Sequence, residues 1–244
     1  MRDELLDLVQ HTYDLGCIDI VKIIGSDEET QIKSMAEDRS IVLDAHFVNP
    51  LPELSGTFGM PNLSKLKVLL NLQEYVENAK ISIIHQSRNG EDVPVSINFE
   101  NANSDFKNNY RFMARELVNE KLKTPVFKGT TWNVEFVPEL ANINRLKMQA
   151  QANSEEPIFQ ISTESDNLVF TFGDASNHSG EFVFHSGISG RLTNTRLYRV
   201  KQLISILNLV GDKVIRISDN GVLQITVNSG IAIYNYYMLA YMKK

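Results

Sequence analysis

Several features that define common classes of protein are scarce or absent in this sequence. Its 244 residues include one cysteine, Cys17, so the chain can form neither an internal disulfide nor a cysteine cluster for zinc. One cysteine in a chain of this length is typical of a reducing compartment. No apolar run approaches the roughly 18 residues that cross a bilayer, and the acidic start Met1-Arg2-Asp3-Glu4 does not fit a secretory signal. We therefore expect a cytoplasmic protein without secretion signal or membrane contact.

Motifs for nucleotide binding and catalysis are missing as well. The chain has no GxxxxGK[ST] loop to cradle phosphates, no GxGxxG after a strand and no HExxH. The segment Gly187–Gly190 is one residue short of a GxSxG nucleophile elbow. His178 and His185 are the only two histidines close in sequence, and we interpret them as solvated loop residues, with a metal site as the alternative. We predict no catalytic residues, no metal and no cofactor; a hydrolase whose carboxylates meet only in the fold stays an alternative.

The bulk composition is that of a globular, acidic protein. Hydrophobic residues make up 43% of the chain, which is enough to bury a core, and the formal net charge is -6 with a pI of about 5.4. An acidic chain is a poor general binder of nucleic acid, because contacts to phosphate dominate that affinity. The location of the positive charges therefore matters more than their sum.

A short pattern that occurs twice indicates an internal duplication. Leu69-Leu70-Asn71-Leu72 precedes Ile206-Leu207-Asn208-Leu209 by 137 positions, and a strand-like segment follows each copy. A second pair, residues 37–43 and 164–170, is similar at an offset of 127. Internal repeats of this kind favour one folding unit used twice.

The order of predicted elements agrees with a duplication. Helical periodicity predicts helices over 2–15, 63–73, 138–152 and 195–210. In each half of the chain, strand-like segments separate the two helices and follow the second one. In the first half they lie at 17–24, 31–36, 40–48, 54–60, 79–86, 93–99 and 107–113. In the second half they lie at 157–163, 167–173, 180–186, 213–218, 222–227 and 231–240. Tight turns are predicted at Asn89-Gly90 and Asn220-Gly221. We predict an α+β fold with antiparallel sheets and three parts: an N-terminal domain (1–113), a charged connector (114–131) and a C-terminal domain (132–244).

Projection of the helices at 100° per residue separates apolar from polar faces. It puts Leu66, Leu69 and Leu70 in the core, and likewise Leu140 with Ile143, and Leu197, Val200, Leu203, Ile204 and Leu207. It turns Tyr198 outward. The three later helices carry seven cations and, near one end, the single acid Glu139; the cations are Lys65, Lys67, Arg145, Lys147, Arg196, Arg199 and Lys201. These faces are either solvated surfaces or a weakly basic surface that meets a phosphate backbone without reading bases.

The first predicted helix has the opposite character. Its outward positions are Asp3, Glu4, Asp7, His11 and Asp14. An acidic face of this kind would repel DNA.

Three segments resemble the DNA polymerase sliding clamps, the family of proliferating cell nuclear antigen and the T-even phage clamps. They are Ile32–Met35 leading into Ile41–Phe47, the segment Phe58–Lys67, and the tyrosine-rich Ile233–Ala240. The direct start with a helix is more similar to the phage type, so a viral protein acting in a host cell is the expectation if the source is a phage.

The resemblance implies a ring-shaped homotrimer, with a dimer as the alternative. Each copy would have two clamp domains, with sheets outside and two helices per domain lining the hole. The ring would encircle duplex DNA without sequence preference and tether the replicative DNA polymerase as a processivity factor. An ATP-dependent clamp loader would have to open it. The DNA-facing residues would be Lys65, Lys67, Arg145, Lys147, Arg199 and Lys201.

The resemblance also implies a hydrophobic pocket for partner peptides, formed by Met35, Tyr237, Leu239 and Ala240; core packing is the competing interpretation for each. The acidic first helix either tilts away from DNA or is offset by neighbouring cations, and we expect the second. The alternative function is a duplicated α+β adaptor or scaffold protein that does not encircle DNA.

Overall fold

The computed structural model of the chain describes residues 1–88, 90–125, 127–174, 176 and 178–241, without the side chains of Arg88 and Glu91. Contacts divide the chain into two compact units. The N-terminal unit comprises Met1–Pro125 and Asn228–Tyr234, and the C-terminal unit comprises Val126–Val227 and Asn235–Lys244. The division falls within the segment 114–131, and a late stretch of chain returns to the first unit.

The N-terminal unit contains three α-helices and two antiparallel sheets among the described residues. Its helices are α1 (Arg2–Gln10), α2 (Leu63–Leu70) and α3 (Arg115–Lys121). Its strands are β1 (Ile20–Gly25), β2 (Thr30–Met35), β3 (Val42–Phe47), β4 (Gly56–Pro61), β5 (Lys80–Arg88), β6 (Glu91–Glu100) and β7 (Lys107–Arg111). The hydrogen-bonded order is β4-β1-β2-β3 in one sheet and β5-β6-β7 in the other. Alternate residues of β1 to β3 are buried, as expected for strands with one face on a core.

The C-terminal unit has the helices α4 (Leu140–Ala152) and α5 (Val200–Leu207). Its strands are β8 (Val134–Phe136), β9 (Ile158–Glu164), β10 (Asn167–Gly173), β11 (Ser179–Ser186), β12 (Arg196–Arg199), β13 (Asp212–Ile217), β14 (Val222–Asn228) and the second half of β15 (Ala232–Leu239). One sheet has the order β11-β10-β9-β12, and β15, β14, β13 and β8 are neighbours in that order. Its core is rich in aromatic rings, including a stacked Phe170–Phe184 pair with centroids 4.3 Å apart.

The predicted duplication is confirmed by these strand orders. The arrangement β4-β1-β2-β3 recurs as β12-β9-β10-β11, and α2 and α5 have the same length and begin 137 positions apart, at Leu63 and Val200. The predicted α+β class with antiparallel sheets is confirmed as well. None of the helices in the described ranges is both long and apolar enough to cross a bilayer.

The second pair of similar segments, at an offset of 127, is not a structural repeat. Residues 37–43 lead from β2 into β3, whereas residues 164–170 lead from β9 into β10, one strand too early. The true counterparts share a turn: the Ser40 amide donates to Asp38 Oδ1 at 3.0 Å, and the Ser176 amide donates to Asp174 Oδ1 at 2.9 Å. Polar residues followed by an apolar strand occur at many hairpin turns, so this match carried little information.

The first predicted helix, 2–15, ends at Gln10 instead. The Thr12 hydroxyl donates to the Leu8 carbonyl at 2.6 Å, a local contact that competes with helix continuation. A short 3₁₀ turn, Tyr13–Leu15, follows and ends at Gly16, whose φ of 76° is in the left-handed region.

The prediction of a helix over 195–210 is wrong in its first part. Residues 196–199 form β12, in which Tyr198 pairs with Phe159 of β9 and is fully buried. Strand pairing overrides the helical periodicity there. The helix 138–152 begins at Leu140, and the short strand β8 was not predicted.

A helix also lies where the sequence predicted only a connector. Val118 of α3 is fully buried against Gly59 of β4, where an added Cβ would lie 2.8 Å from a Val118 methyl carbon. Glycine therefore permits the close approach of α3. Of the predicted turns, Gly221 has the expected positive φ of 80°, while Asn89 lies outside the described residues.

A buried polar cluster holds the returning segment 228–234 in the N-terminal unit. Asp7 of α1 is 6% exposed, and its Oδ2 accepts hydrogen bonds from the Tyr234 hydroxyl at 2.7 Å and the Ser229 hydroxyl at 2.9 Å. The His11 ring stacks on Tyr234 with centroids 4.5 Å apart, and its Nδ1 lies 3.2 Å from Asp7 Oδ1. Burial by itself would raise the pKa of Asp7, but the contacts with His11, Tyr234 and Ser229 outweigh it and hold that pKa below its ordinary value.

We predict that Asp7→Asn lowers the free energy of unfolding by about 1–3 kcal/mol at neutral pH, because it removes a charged acceptor from buried donors. The lowered pKa means that the carboxylate stabilises the fold above the ordinary aspartate pKa of about 3.9 and that this contribution is lost as the pH falls through the folded-state value. Urea unfolding at neutral and acidic pH measures both effects. The cost of the substitution should shrink in acid; a constant cost, or an equal cost for the exposed control Asp3→Asn, would contradict the assignment.

Candidate functional site

The two helices of the C-terminal unit, α4 and α5, carry cations and no acids. Helices α4 and α5 contain no Asp or Glu. Their apolar stripes are buried, through Ile143 and Leu146 in α4 and through Val200, Leu203, Ile206 and Leu207 in α5. Arg145, Lys147 and Lys201 are the charged residues left on these helices.

The three cations differ in how they are held. Arg145 is exposed; its guanidinium lies 5.3 Å from the centroid of Phe182 and donates to the Val183 carbonyl at 3.3 Å. Both of these partners are neutral, and no salt bridge of Arg145 occurs among the described residues. Lys201 is exposed in the first turn of α5. Lys147 is half-buried and lines a groove of about 590 Å³ between α4 and the end of α5.

Arg199 does not lie on a helix face. It is half-buried at the last position of β12, directly before α5, so the helical projection does not apply to it. Two predictions about burial are also wrong, because α5 and α4 begin later than the sequence predicted. Tyr198, predicted to face outward, is buried, and burial raises the pKa of its phenol. Leu140, predicted in the core, is 71% exposed because it is only the first residue of α4.

In the N-terminal unit the cations of α2 lie opposite its apolar stripe, as predicted. Leu66, Leu69 and Leu70 are buried, and Lys65 is exposed. Lys67 is half-exposed and paired: its Nζ lies 2.6 Å from Asp14 Oδ1 and 5.7 Å from the centroid of the Tyr13 ring.

The acidic face of the first helix is smaller than the sequence indicated. Asp7 and His11 were predicted to face outward, and both are buried in the cluster with Tyr234. Asp14 is neutralised by Lys67. Glu4 is half-buried, and Asp3 is exposed. The hypothesis that neighbouring cations offset this face is therefore supported by one contact, the pair between Lys67 and Asp14.

The four predicted pocket residues lie in different units. Met35 is half-buried in the N-terminal unit, where it lines a groove of about 890 Å³ together with Cys17 and Leu122. Tyr237, Leu239 and Ala240 belong to the C-terminal unit. Leu239 is 65% exposed, and the Ala240 amide donates to the Gly221 carbonyl at 2.7 Å. A single pocket made by all four stays a prediction.

Two aromatic residues beside Tyr237 were missed. The Phe127 ring stacks on Tyr237 with centroids 4.5 Å apart, and Trp132 stacks on Phe127 with centroids 5.9 Å apart. All three rings are half-buried. We call Phe127, Trp132 and Tyr237 the aromatic patch. The available signal was two large aromatic residues in an otherwise polar stretch, which is unusual for a solvated connector.

The described part of the chain shows no cluster of three or more His, Cys, Asp or Glu residues that could hold a metal ion. His185 stacks on Phe136 with centroids 4.6 Å apart, and His178 is exposed.

No protein-family model and no curated protein sequence matches the chain. Solved structures do. The chain is similar to PCNA of A. fulgidus, in a structure with the C-terminal region of FEN-1 bound, with a TM-score of 0.71 and 10% identity over 99% of this chain and 96% of that one. It is similar to PCNA of Thermococcus kodakaraensis, with a TM-score of 0.63 and 15% identity over 99% and 97% of the two chains. For the proliferating cellular nuclear antigen of Entamoeba histolytica the TM-score is 0.69 and the identity 13%, over 98% and 96%.

These likenesses identify a duplicated α+β protein whose two units share one plan. More specifically, the chain has the PCNA type of sliding-clamp fold along nearly its whole length. The resemblance inferred from the sequence is thus confirmed at the level of the fold.

The aromatic patch makes a prediction that needs no ligand. Trp132 is the only tryptophan, so its emission reports on the patch alone. We expect Phe127→Ala to shift this emission to longer wavelength, because the substitution removes the ring that covers the indole. Leu239→Ala is the matched control, since Leu239 is already 65% exposed and has no described ring contact. Equal spectra for wild type and Phe127→Ala would contradict the stacking.

Proposed function

We propose that this protein is a sliding clamp: three copies close into a ring that encircles duplex DNA and tethers the replicative DNA polymerase as a processivity factor. The observation that carries the proposal is the likeness to PCNA structures over 98–99% of this chain and 96–97% of theirs. The function is topological, so it needs no catalytic group. A ring threaded by DNA is retained without tight binding.

A tether that slides needs DNA contacts that are weak and blind to sequence. Lysine and arginine contacts to phosphate hold position without reading bases. We assign this role to the six predicted cations, Lys65, Lys67, Arg145, Lys147, Arg199 and Lys201. The absence of acids from α4 and α5 supports the assignment, since the chain as a whole has a net charge of -6. At physiological salt, screening over about 8 Å confines each charged surface to its own surroundings.

Assembly into a ring would use sheet edges. In the described residues β11 pairs only with β10, and β5 and β7 pair only with β6. Strand addition between β11 of one copy and an edge of the β5-β6-β7 sheet of the next would satisfy unpaired backbone groups. Such a head-to-tail contact closes into a ring when the rotation allows it. The homotrimer is our proposal, and a dimer is its alternative.

A closed ring must be opened before DNA can enter. The chain has no phosphate-cradling loop, so we propose that a separate ATP-dependent clamp loader supplies the energy. The protein would then act wherever DNA is replicated. A phage origin remains a prediction from the sequence.

We propose that partner peptides dock on the aromatic patch and Leu239, with Met35 and Ala240 as further contacts. Half-buried aromatic rings beside an exposed aliphatic side chain are typical anchors for a peptide. The A. fulgidus PCNA structure, with the C-terminal region of FEN-1 bound, is consistent with a peptide-binding clamp. Titration of Trp132 emission with polymerase-derived peptides would detect docking, and Tyr237→Ala should weaken it.

The test of encirclement combines mass and topology. The native mass should be near three times 27.6 kDa. Protein loaded on nicked circular duplex should stay bound through a high-salt wash and be released when the circle is cut. A monomeric mass, or equal retention on circular and linear DNA, would favour the adaptor without DNA encirclement.

The helix cations are tested by charge reversal. We expect Lys67→Glu, Arg145→Glu and Lys201→Glu together to shorten polymerase run length and to lower affinity for DNA, without unfolding the protein. Reversal of three exposed cations outside the helices, Arg39, Lys123 and Arg191, is the matched control. Unchanged run length in the helix variant, or an equal loss in the control, would show that these faces do not meet DNA.

A further inference from the structure

We propose that Asp14 is an internal competitor for DNA phosphate: by pairing with Lys67 it weakens the contact of the N-terminal unit with DNA and so affects how freely the clamp slides. This inference rests on the proposed function. It goes beyond the acidic face that the sequence indicated, because Asp14 acts by occupying one particular cation, Lys67, and not by general repulsion of DNA.

The geometry of the pair is well defined. Asp14 lies in the 3₁₀ turn Tyr13–Leu15 after α1, and its Oδ1 lies 2.6 Å from the Lys67 ammonium of α2. The preceding residue, Tyr13, presents its ring to the same ammonium at 5.7 Å. Two consecutive residues of one turn therefore hold Lys67. This turn exists because the first helix ends early.

The pair is also open to exchange. The Lys67 and Asp14 side chains are 43% and 34% exposed. An exposed ion pair is weak, because water and salt screen it, and a phosphate group can replace the carboxylate. DNA must displace Asp14 before it gains Lys67, so the contact yields less than it would from an unpaired lysine.

The described helix cations of the C-terminal unit are not paired with an acid in this way. At the offset of 137 positions that relates α2 to α5, Ile204 stands in place of Lys67, and Gln151, which lies within α4 and not in a turn, stands at the position of Asp14. Within the described ranges no acid lies within salt-bridge distance of Arg145, Lys147 or Lys201. The two units are thus alike in fold and different in charge, so their contacts to DNA should differ. The C-terminal unit offers ready cations, whereas one of the two cations of α2 in the N-terminal unit, Lys67, is already neutralised.

The competing interpretation is a structural link between the turn after α1 and α2. Both interpretations use the same contact, so stability alone cannot separate them. Counterion release can, because each lysine that gains a phosphate contact steepens the dependence of log K on log salt by about 0.9.

The experiment measures affinity for a short linear duplex, whose open ends let a closed ring thread without a loader, between about 50 and 200 mM salt. The proteins are wild type, Asp14→Asn, Lys67→Gln, the double variant, and Asp3→Asn as an exposed acid with the same charge change. We expect Asp14→Asn to steepen the salt slope by about 0.9 per added contact and to bind up to about fivefold tighter at the lowest salt, which is the most that loss of an exposed ion pair would yield. Lys67→Gln should weaken binding, by less than Asp14→Asn strengthens it because the wild-type lysine is already paired, and the double variant should match Lys67→Gln.

The outcomes separate the two proposals. If wild type neither binds the duplex nor is retained on circular DNA, the clamp function fails and this inference fails with it. If wild type binds and Asp14→Asn changes affinity no more than Asp3→Asn, only the role of Asp14 is overturned. A gain that persists in the Lys67→Gln background would also overturn it, because the effect would then be long-range charge. Slower diffusion of Asp14→Asn along stretched DNA, with an unchanged unfolding midpoint, would support it.

Discussion

The burial of one apolar stripe per helix is the constraint on which the rest of this structure depends. A helix that packs Leu66 and Leu69, or Leu203 and Ile206, against its unit must turn its charged residues the other way, because its period leaves no other place for them. The cations of α2, α4 and α5 are therefore displayed by the same packing that makes the core. Where α1 buries polar residues, hydrogen bonds from Tyr234 and Ser229 offset the cost of taking the Asp7 carboxylate out of water.

Duplication supplies the architecture twice and leaves the charges free to diverge. The strand order and the length of the second helix are the same in both units. Helices α4 and α5 of the C-terminal unit contain no acids, whereas the N-terminal unit has the Asp14 carboxylate beside the half-exposed Lys67. For the proposed sliding clamp such a division would be useful: affinity for DNA would be raised in one unit and limited in the other, with no change of fold.

The proposed peptide-docking surface, formed by the aromatic patch and Leu239, is likewise separate from the features that define the fold. The aromatic patch draws its rings from a polar loop and from the last strand, and its neighbour Leu239, at the end of β15, is 65% exposed. Apolar side chains that are half-buried in this way lower the stability of an isolated protein. That stability is recovered when a partner covers them. Under the proposed function the chain would combine a surface that binds weakly everywhere along DNA with one that binds a few peptides well.

Much of the fold could be predicted from the sequence, because hydrophobic periodicity and turn residues act locally. The repeat at 137 positions, most of the strands and the buried stripe of α2 follow from such patterns. In α5 Val200, Leu203 and Leu207 are buried as predicted, whereas Ile206 is buried in place of the predicted Ile204. The charge of the helix faces was likewise readable, since Lys65, Lys67, Arg145, Lys147 and Lys201 lie on helices as predicted.

What only the tertiary structure decided were contacts between residues distant in sequence. The burial of Asp7 and His11 depends on a segment more than 200 positions away, β12 forms because β9 offers a strand to pair with, and Lys67 meets Asp14 because the first helix stops early. Phe127 and Tyr237 are 110 positions apart and stack face to face. A helical projection uses only the period of a helix and does not include the other segments that pack around it. That packing determines which polar side chains stay exposed and available for function.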